Sequence, residues 1–169
     1  MIELPDCRDG QVYHQTVLFL EAFFHRSDLP LQELKTIAQK IRACVGKISP
    51  VIQQTTEIVC PHCKNVCCVS KHGYYLFEDL VYLHASGIKP PPLKFGNDDA
   101  APCQFLAENG CTLERSMRPS GCNWYFCDSL LDHLEDNPGY PAFDDSLQDA
   151  ATLWLEMMEE FSSISSSSP

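Results

Sequence analysis

Positive charge is scarce in this sequence. Its 169 residues include 12 lysine and arginine side chains against 23 aspartate and glutamate side chains, so the formal net charge is −11 at pH 7. A nucleic-acid-binding protein needs a basic surface to contact phosphates, and none is visible here. A charge this negative also repels anionic membrane surfaces. We therefore expect neither nucleic acid nor membrane as a partner, whereas cationic ligands such as metal ions are tolerated.

Signals for export and membrane insertion are also missing. No stretch is long and apolar enough to span a bilayer. The first ten residues, MIELPDCRDG, contain neither the basic start nor the apolar run of a secretory signal. These absences predict a reducing, cytoplasmic location, in which disulfides rarely persist. The motifs GxGxxG, P-loop and HExxH do not occur either, so no catalytic residue is predicted and enzymatic activity stays an open question.

Cysteine, by contrast, is abundant, with ten in the chain. Two stretches, CPHCKNVCC and CQFLAENGCTLERSMRPSGCNWYFC, contain eight of them. The early group is Cys60, Cys63, Cys67 and Cys68, and the late group is Cys103, Cys111, Cys122 and Cys127. In a chain without an export signal, such clusters are typical of metal-binding or catalytic sites. Cys7 and Cys44 stand outside both groups, and we expect them to be ordinary thiols.

The spacing of the early group favours a metal site. Two residues separate Cys60 from Cys63, which lets the backbone turn tightly and aim both sulfurs at one ion. Zinc takes four such ligands, and so does an iron–sulfur cluster. The late group has no CxxC, and neighbouring side chains such as Cys67 and Cys68 point to opposite faces of an extended chain. This irregular spacing favours iron–sulfur slightly over zinc and leaves one or two sites possible.

Other interpretations of these residues exist. The cysteines could be small core residues or disulfides, or one of them a nucleophile served by His62 or His72. Arg118 precedes Pro119 within the late group, and its guanidinium would offset the negative charge of a metal bound by four thiolates. The aromatic residues around the late group are predicted to keep water from the site.

The cysteine pattern resembles the YkgJ-type family of zinc- or iron-chelating cysteine-cluster domains. The resemblance covers about residues 58–130. It rests on the eight clustered cysteines and on the stretches Phe105–Leu106, Gly110–Leu113 and Arg118–Pro119. Three residues separate Cys63 from the cysteine pair, where the family has two. That family includes a flagellin lysine N-methylase, which implies iron–sulfur chemistry in at least some of its members. The resemblance thus implies a zinc or iron–sulfur site formed by the eight cysteines.

Helical periodicity dominates the rest of the chain. One apolar stripe runs through Tyr13, Val17, Leu20 and Phe24, and a second through Leu34, Ile37, Ile41, Val45 and Ile48. We predict that residues 11–49 form an antiparallel helical hairpin that ends at Pro50, followed by an extended segment, 51–59. A short helix is predicted through Leu76, Leu80 and Leu83, with Gly87 at its C-terminal cap. A long loop then occupies residues 88–102.

The C-terminal region is predicted to end in a helix. Asp132 to Asp145 is interpreted as a solvated acidic loop, and Ser146 as the start of the helix. Ala150, Trp154 and Met157 or Met158 form its apolar stripe, and the serine-rich tail from Ser162 to Pro169 is expected to fray.

The predicted architecture is therefore mainly α, with a helical scaffold around an irregular cysteine-rich metal-binding core. A single domain would comprise an N-terminal helical hairpin (1–57), the cysteine-rich core (58–130) and an acidic loop, helix and tail (131–169).

Three functions fit this architecture. The first is a small iron–sulfur or zinc protein with a redox or enzyme-accessory role. The second is a structural zinc adaptor that binds a protein partner, or a second copy of the chain, through its N-terminal helices. The third is metal storage or delivery.

Overall fold

The structure is a computed structural model, and it describes residues 4–63, 68, 73–96, 101–108 and 110–167. Its helices are α1 (Gly10–His25), α2 (Gln32–Val59), α3 (Phe77–Ala85), α4 (Gly121–Trp124), α5 (Asp128–Glu135) and α6 (Tyr140–Ser166). Two short strands, β1 (Leu106–Ala107) and β2 (Gly110–Cys111), form an antiparallel pair. The prediction of a mainly helical protein is confirmed. Among the described residues, no helix combines the length and the apolar character needed to cross a bilayer.

Helix α1 begins at a capped end. The Asp9 carboxylate accepts hydrogen bonds from the backbone N–H groups of Gln11 and Val12, at 2.8 and 3.0 Å. The buried face of the helix is formed by Tyr13, Thr16, Leu20 and Phe23. The predicted stripe therefore covers the correct side of the helix, but Val17 and Phe24 lie at its edge and are only partly buried.

Helix α2 does not end at Pro50, so the predicted helix end and the extended segment 51–59 are both wrong. The helix continues to Val59 with Pro50 inside it. Proline within a helix costs about 3 kcal/mol, because it removes one hydrogen bond and crowds the preceding turn. Pro50 lies on the solvent side, whereas Ile48 and Ile52 are buried against Leu134 and Phe143. Burying each isoleucine contributes about 1.5–3 kcal/mol, which offsets the cost of the proline.

The main packing partners differ from those in the predicted hairpin. Helix α2 packs chiefly against α6, and α1 packs chiefly against α3. All five residues of the second predicted stripe are buried. From α6, Ala150, Trp154 and Met157 are buried, which confirms the C-terminal stripe. Helix α6 therefore packs beside α2, where the predicted hairpin had placed α1.

The region after residue 127 is more helical than predicted. Helix α5 replaces the first part of the expected acidic loop, because Leu130 and Leu134 are buried on one of its faces. Helix α6 begins at Tyr140, and the hydroxyl of Ser146 donates within it to the Ala142 carbonyl at 2.9 Å. Ser146 is therefore an interior residue of the helix, and not its cap.

The serine-rich tail is also more ordered than expected. Helix α6 continues through Ser166, and Ile164 is buried in its last turns. Burial of this one apolar side chain gives the final turns a tertiary contact that composition alone does not indicate. Residues 168 and 169 lie outside the described part of the chain.

Helix α3 agrees with its prediction. Leu80 and Leu83 are buried, and Gly87 adopts a left-handed conformation with φ of 71° just after the helix. The N–H of Ile88 donates to the Leu83 carbonyl at 2.8 Å, and that of Gly87 donates to the His84 carbonyl at 3.0 Å. This is the hydrogen-bond pattern of a Schellman cap. Leu76 is exposed, however, and lies just before the helix.

Candidate metal centre

The two cysteine groups meet at a backbone hydrogen bond. The N–H of Cys103 donates to the carbonyl of Cys68 at 2.9 Å. These residues belong to different groups, and the whole of α3 lies between them in the chain. The end of the early group is thereby held beside the beginning of the late group.

The CxxC portion of the early group forms a tight turn. Helix α2 ends at Val59, and a 3₁₀ turn covers Cys60–His62. The N–H of Cys63 closes this turn by donating to the Cys60 carbonyl at 3.1 Å. Both cysteines are partly exposed. Cys67, a predicted ligand, and His72, which entered only as the base of the alternative nucleophile interpretation, lie outside the described residues.

The late group is carried on short elements. Cys111 lies in β2, opposite Leu106 of β1, and Cys122 lies in the first turn of the four-residue helix α4. The N–H of Cys122 donates to the Pro119 carbonyl at 2.8 Å. Cys127 directly precedes α5, and its carbonyl accepts from Leu130 and Leu131. Local hydrogen bonds therefore fix the backbone around the late cysteines, and at Cys103 the carbonyl accepts from the Leu106 N–H at 2.9 Å while the N–H bonds to the early group.

The described residues do not include a complete ligand set. In the part of the chain that the structure describes, no three Cys, His, Asp or Glu side chains are grouped as a metal site. The early group is represented there by Cys60, Cys63 and Cys68, without Cys67. The eight-cysteine ligand set therefore stays a prediction.

Arg115 is a feature that the sequence interpretation missed. It begins the 3₁₀ turn Arg115–Met117 and is only 8% exposed. Its Nη1 donates to the Cys122 carbonyl at 3.2 Å. Its pKa is lowered to about 10, chiefly by burial and also by the Arg118 guanidinium, whereas the nearby thiols of Cys122, Cys111 and Cys68 favour its charged form. The guanidinium is thus close to cysteines of both groups.

Arg118, which was predicted to lie beside the sulfurs, is less buried than Arg115. Its Nε donates to the Leu113 carbonyl at 2.9 Å. Both arginines lie between Cys111 and Cys122, and sequence alone offers no means of deciding which of them turns inward. A role for Arg118 beside the metal stays a prediction.

Two buried side chains of the α3 region hold the segment that leads to Cys122. The hydroxyl of Tyr75 donates to the Met117 carbonyl. The Asp79 carboxylate accepts from the Ser120 N–H at 2.9 Å and from the Leu76 N–H at 2.8 Å. Asp79 therefore caps the start of α3 and also ties it to the late cysteine group. Its place in the first helical turn is a capping signal that was available in the sequence.

Gly73 allows the chain to pass close to Cys103. Its φ is 67°, and a Cβ atom there would lie 3.0 Å from Cys103 Sγ and 2.8 Å from the Phe105 ring. Both distances are too short for a carbon atom to be added without a shift of these side chains. Glycine is therefore required for two reasons, the left-handed backbone and the close approach to the sulfur.

We expect Gly73→Ala to destabilise the protein by about 2–5 kcal/mol. The left-handed backbone contributes about 1–2 kcal/mol, and the overlap with Phe105 and Cys103 contributes about 1–3 kcal/mol. Gly96→Ala is the matched control, because Gly96 has a φ of 73° but an added Cβ would meet nothing within 4 Å. Urea unfolding of both variants measures the difference. Equal costs would show that the approach to Cys103 imposes no constraint.

Burial makes Asp79 sensitive to pH. Its pKa is raised to about 6, chiefly by desolvation and also by Glu78, and the hydrogen bonds from Leu76 and Ser120 only partly oppose this increase. Between about pH 4 and pH 6 the folded state retains a proton that the unfolded chain releases. The free energy of unfolding should therefore decrease by up to about 3 kcal/mol as the pH rises through this window, and this contribution should then level off.

The difference in unfolding free energy between the wild-type protein and Asp79→Asn isolates this contribution from other carboxylates. We expect that difference to change with pH between 4 and 6 and to be constant from pH 7 to 8. A difference that is independent of pH across the whole range would show that Asp79 titrates normally.

The remaining cysteines and several histidines have local structural roles. Cys7 and Cys44 are buried, and burial raises the pKa of the Cys7 thiol. His14, His25 and His84 each make a hydrogen bond from Nδ1 to the carbonyl four residues earlier in their helix. Among the described residues, these side chains form no metal-binding group with the two cysteine groups.

Comparison with known proteins adds no relative. No protein family, no curated protein and no solved structure matches this chain.

Proposed function

We propose that this protein binds a metal ion or an iron–sulfur cluster through cysteines of both groups. The observation that carries the proposal is the hydrogen bond from the Cys103 N–H to the Cys68 carbonyl, which joins the two groups. The resemblance to the YkgJ-type family supports the same ligand set.

The residues near this junction fit a thiolate-bound metal. Cysteine thiolates are the preferred ligands of zinc and of iron–sulfur clusters. Arg115 supplies a buried positive charge within electrostatic range of three of these thiols, and this charge would stabilise an anionic complex. The ligands would be drawn from Cys60, Cys63, Cys67, Cys68, Cys103, Cys111, Cys122 and Cys127. When bound, zinc would supply structural cross-links, and an iron–sulfur cluster would supply one-electron redox chemistry.

We favour an iron–sulfur cluster and a redox or enzyme-accessory role. The cysteine spacings are irregular, and aromatic side chains lie among the late group. Phe105 and Trp124 pack against the main core, so this part of the late group has an apolar backing. An apolar shell of this kind limits solvent access, which is one of the factors that set a cluster's potential.

A structural zinc adaptor is the second candidate, and one observation favours it. Leu18 and Phe19 lie on α1 and are 66% and 51% exposed. Large apolar side chains on the surface of a helix can bind a protein partner. If this function holds, Leu18→Lys should abolish a partner contact and leave metal content unchanged.

The experiment that tests the proposal is metal analysis together with a visible absorption spectrum of anaerobically purified protein. Iron and sulfide in equal amounts with visible absorption would support the cluster. Zinc without visible absorption would support the adaptor. Protein that contains neither metal, and takes up neither zinc nor iron with sulfide after reduction, would refute the proposal.

A further inference from the structure

Arg115 is a buried cation to which the described structure assigns no carboxylate partner. The ion pairs present among the described residues are Arg8–Asp6 and Arg26–Asp28, and both are on the surface. Arg115 instead donates to the Cys122 backbone carbonyl at 3.2 Å. A carbonyl group is a neutral dipole and does not neutralise the full positive charge of a guanidinium.

A buried charge without a counter-charge is expensive. The effective desolvation cost amounts to several kcal/mol per ion, and a neutral hydrogen-bond acceptor recovers only part of it. Arg118 increases the cost, because a second guanidinium lies close enough to disfavour the charge on Arg115. The location of Arg115 is therefore favourable only if negative charge is present beside it.

The cysteines beside Arg115 can supply that negative charge when they bind a metal. Cys122, Cys111 and Cys68 are the thiols in its electrostatic environment, and they come from both cysteine groups. A metal ligand is the deprotonated thiolate, and four thiolates on Zn²⁺ leave a net charge of about −2. Neutral thiols would leave Arg115 uncompensated.

We propose that Arg115 is the counter-cation of an anionic metal–thiolate group and thereby sets how tightly the metal is held. This inference rests on the proposed function. Arg115 acts on the metal through the charge of the ligands and is not itself a ligand. The Nε of the neighbouring Arg118 donates to the Leu113 carbonyl at 2.9 Å.

The test measures zinc affinity and unfolding free energy on the same variants. Arg115→Met removes the charge and retains an apolar side chain of similar length. Arg115→Lys retains the charge, and Arg8→Met is the control, since Arg8 is exposed and paired with Asp6. Reduced, metal-free protein is titrated with Zn²⁺ against a chromophoric chelator, and the same metal-free samples are unfolded in urea.

Arg115→Met should weaken zinc binding by at least about tenfold, within the range observed when groups surrounding metal ligands are removed. Its metal-free form should be as stable as the wild type or more stable, because replacing an uncompensated buried charge with an apolar group is neutral or stabilising. Arg115→Lys should recover most of the affinity. Arg8→Met should change neither quantity.

Two results would overturn the inference. One is an unchanged zinc affinity in Arg115→Met. The other is a loss of affinity accompanied by an equal loss of metal-free stability without recovery in Arg115→Lys, which would mean that Arg115 only supports the fold. A wild-type protein that binds no metal would instead refute the proposed function, so the two failures are distinguishable.

If the native group is an iron–sulfur cluster, the reduction potential gives an independent measurement. Reduction adds negative charge, so loss of the Arg115 cation should disfavour the reduced form. At a fixed ambient potential we expect the ratio of reduced to oxidised cluster to fall about tenfold in Arg115→Met, which corresponds to about 59 mV for a one-electron couple. An unchanged ratio would contradict a charge-based role.

Discussion

Removing the metal should accelerate amide hydrogen exchange in residues 101–125 by at least about a hundredfold, or about 2.8 kcal/mol of local stability. Metal affinity appears as folding stability when the site is not formed in the unfolded chain. The described elements here are two strands of two residues each, a 3₁₀ turn and the four-residue helix α4. Elements this short hold little backbone order by themselves.

Helices α2, α3 and α6 should change by less than about threefold. Their buried side chains pack against one another in the main core. Within residues 58–130, the amides of α3 should therefore keep their protection from exchange. The cysteine-bearing segments on either side of α3 should lose theirs. Local contact density, more than position in the sequence, sets this difference.

Cys122→Ser should reproduce the effect of metal removal, since the variant lacks one predicted ligand. Cys44→Ser is the control, because Cys44 is a buried cysteine that belongs to neither group, whereas Cys122 is partly exposed. Full protection of residues 101–125 in metal-free protein would mean that the metal has no structural role.

Asp79→Ala should lower the free energy of unfolding at pH 7 by about 2–5 kcal/mol. The substitution leaves the N–H groups of Leu76 and Ser120 without their acceptor, and each unsatisfied buried group costs about 1–3 kcal/mol. Desolvation makes the buried Asp79 carboxylate itself unfavourable, so its removal offsets some of this loss. The same change should loosen residues 117–122, because their link to α3 is broken.

Glu78→Ala is the control for this prediction. Glu78 precedes Asp79 in the first turn of α3 and is only half-buried. We expect it to cost no more than about 0.5 kcal/mol, as is usual away from buried networks. If both substitutions cost the same, the carboxylate of Asp79 does not connect α3 to the late cysteine group.

The parts of the fold that follow from local apolar periodicity were predictable. Leu34 to Ile48 forms a long helical stripe, and all of its five members are buried as predicted. The helix end at Pro50 was not predictable, because the residues that keep α2 helical beyond it, Leu134 and Phe143, are more than 80 positions away. Local propensity indicated a break, and tertiary packing overrode it.

The sequence also could not predict which helices pack against each other. The short connection between α1 and α2 suggested that they pack on each other, yet α6 occupies the main contact with α2. An amphipathic stripe indicates which face of a helix is buried but not which helix covers it.

The sequence predicts which residue types form the candidate site, and that prediction stays untested; the surroundings of the site could not be predicted. Clustered cysteines point to a metal from chemistry and spacing alone. The contact between Cys68 and Cys103 is a backbone hydrogen bond, and the pattern of side chains in the sequence does not indicate it. The choice of Arg115 over Arg118 as the buried cation depends on the direction of a single 3₁₀ turn.

The most direct test of a metal shared by both cysteine groups is alkylation of every thiol, with and without the metal, followed by mass spectrometry of the peptides. We predict that bound metal slows alkylation at least about tenfold at cysteines of both groups, including Cys103, Cys111 or Cys122 together with Cys60 or Cys63. Cys7 and Cys44 are buried internal references and should react equally in both samples. Protection confined to one group, or to neither, would contradict this account.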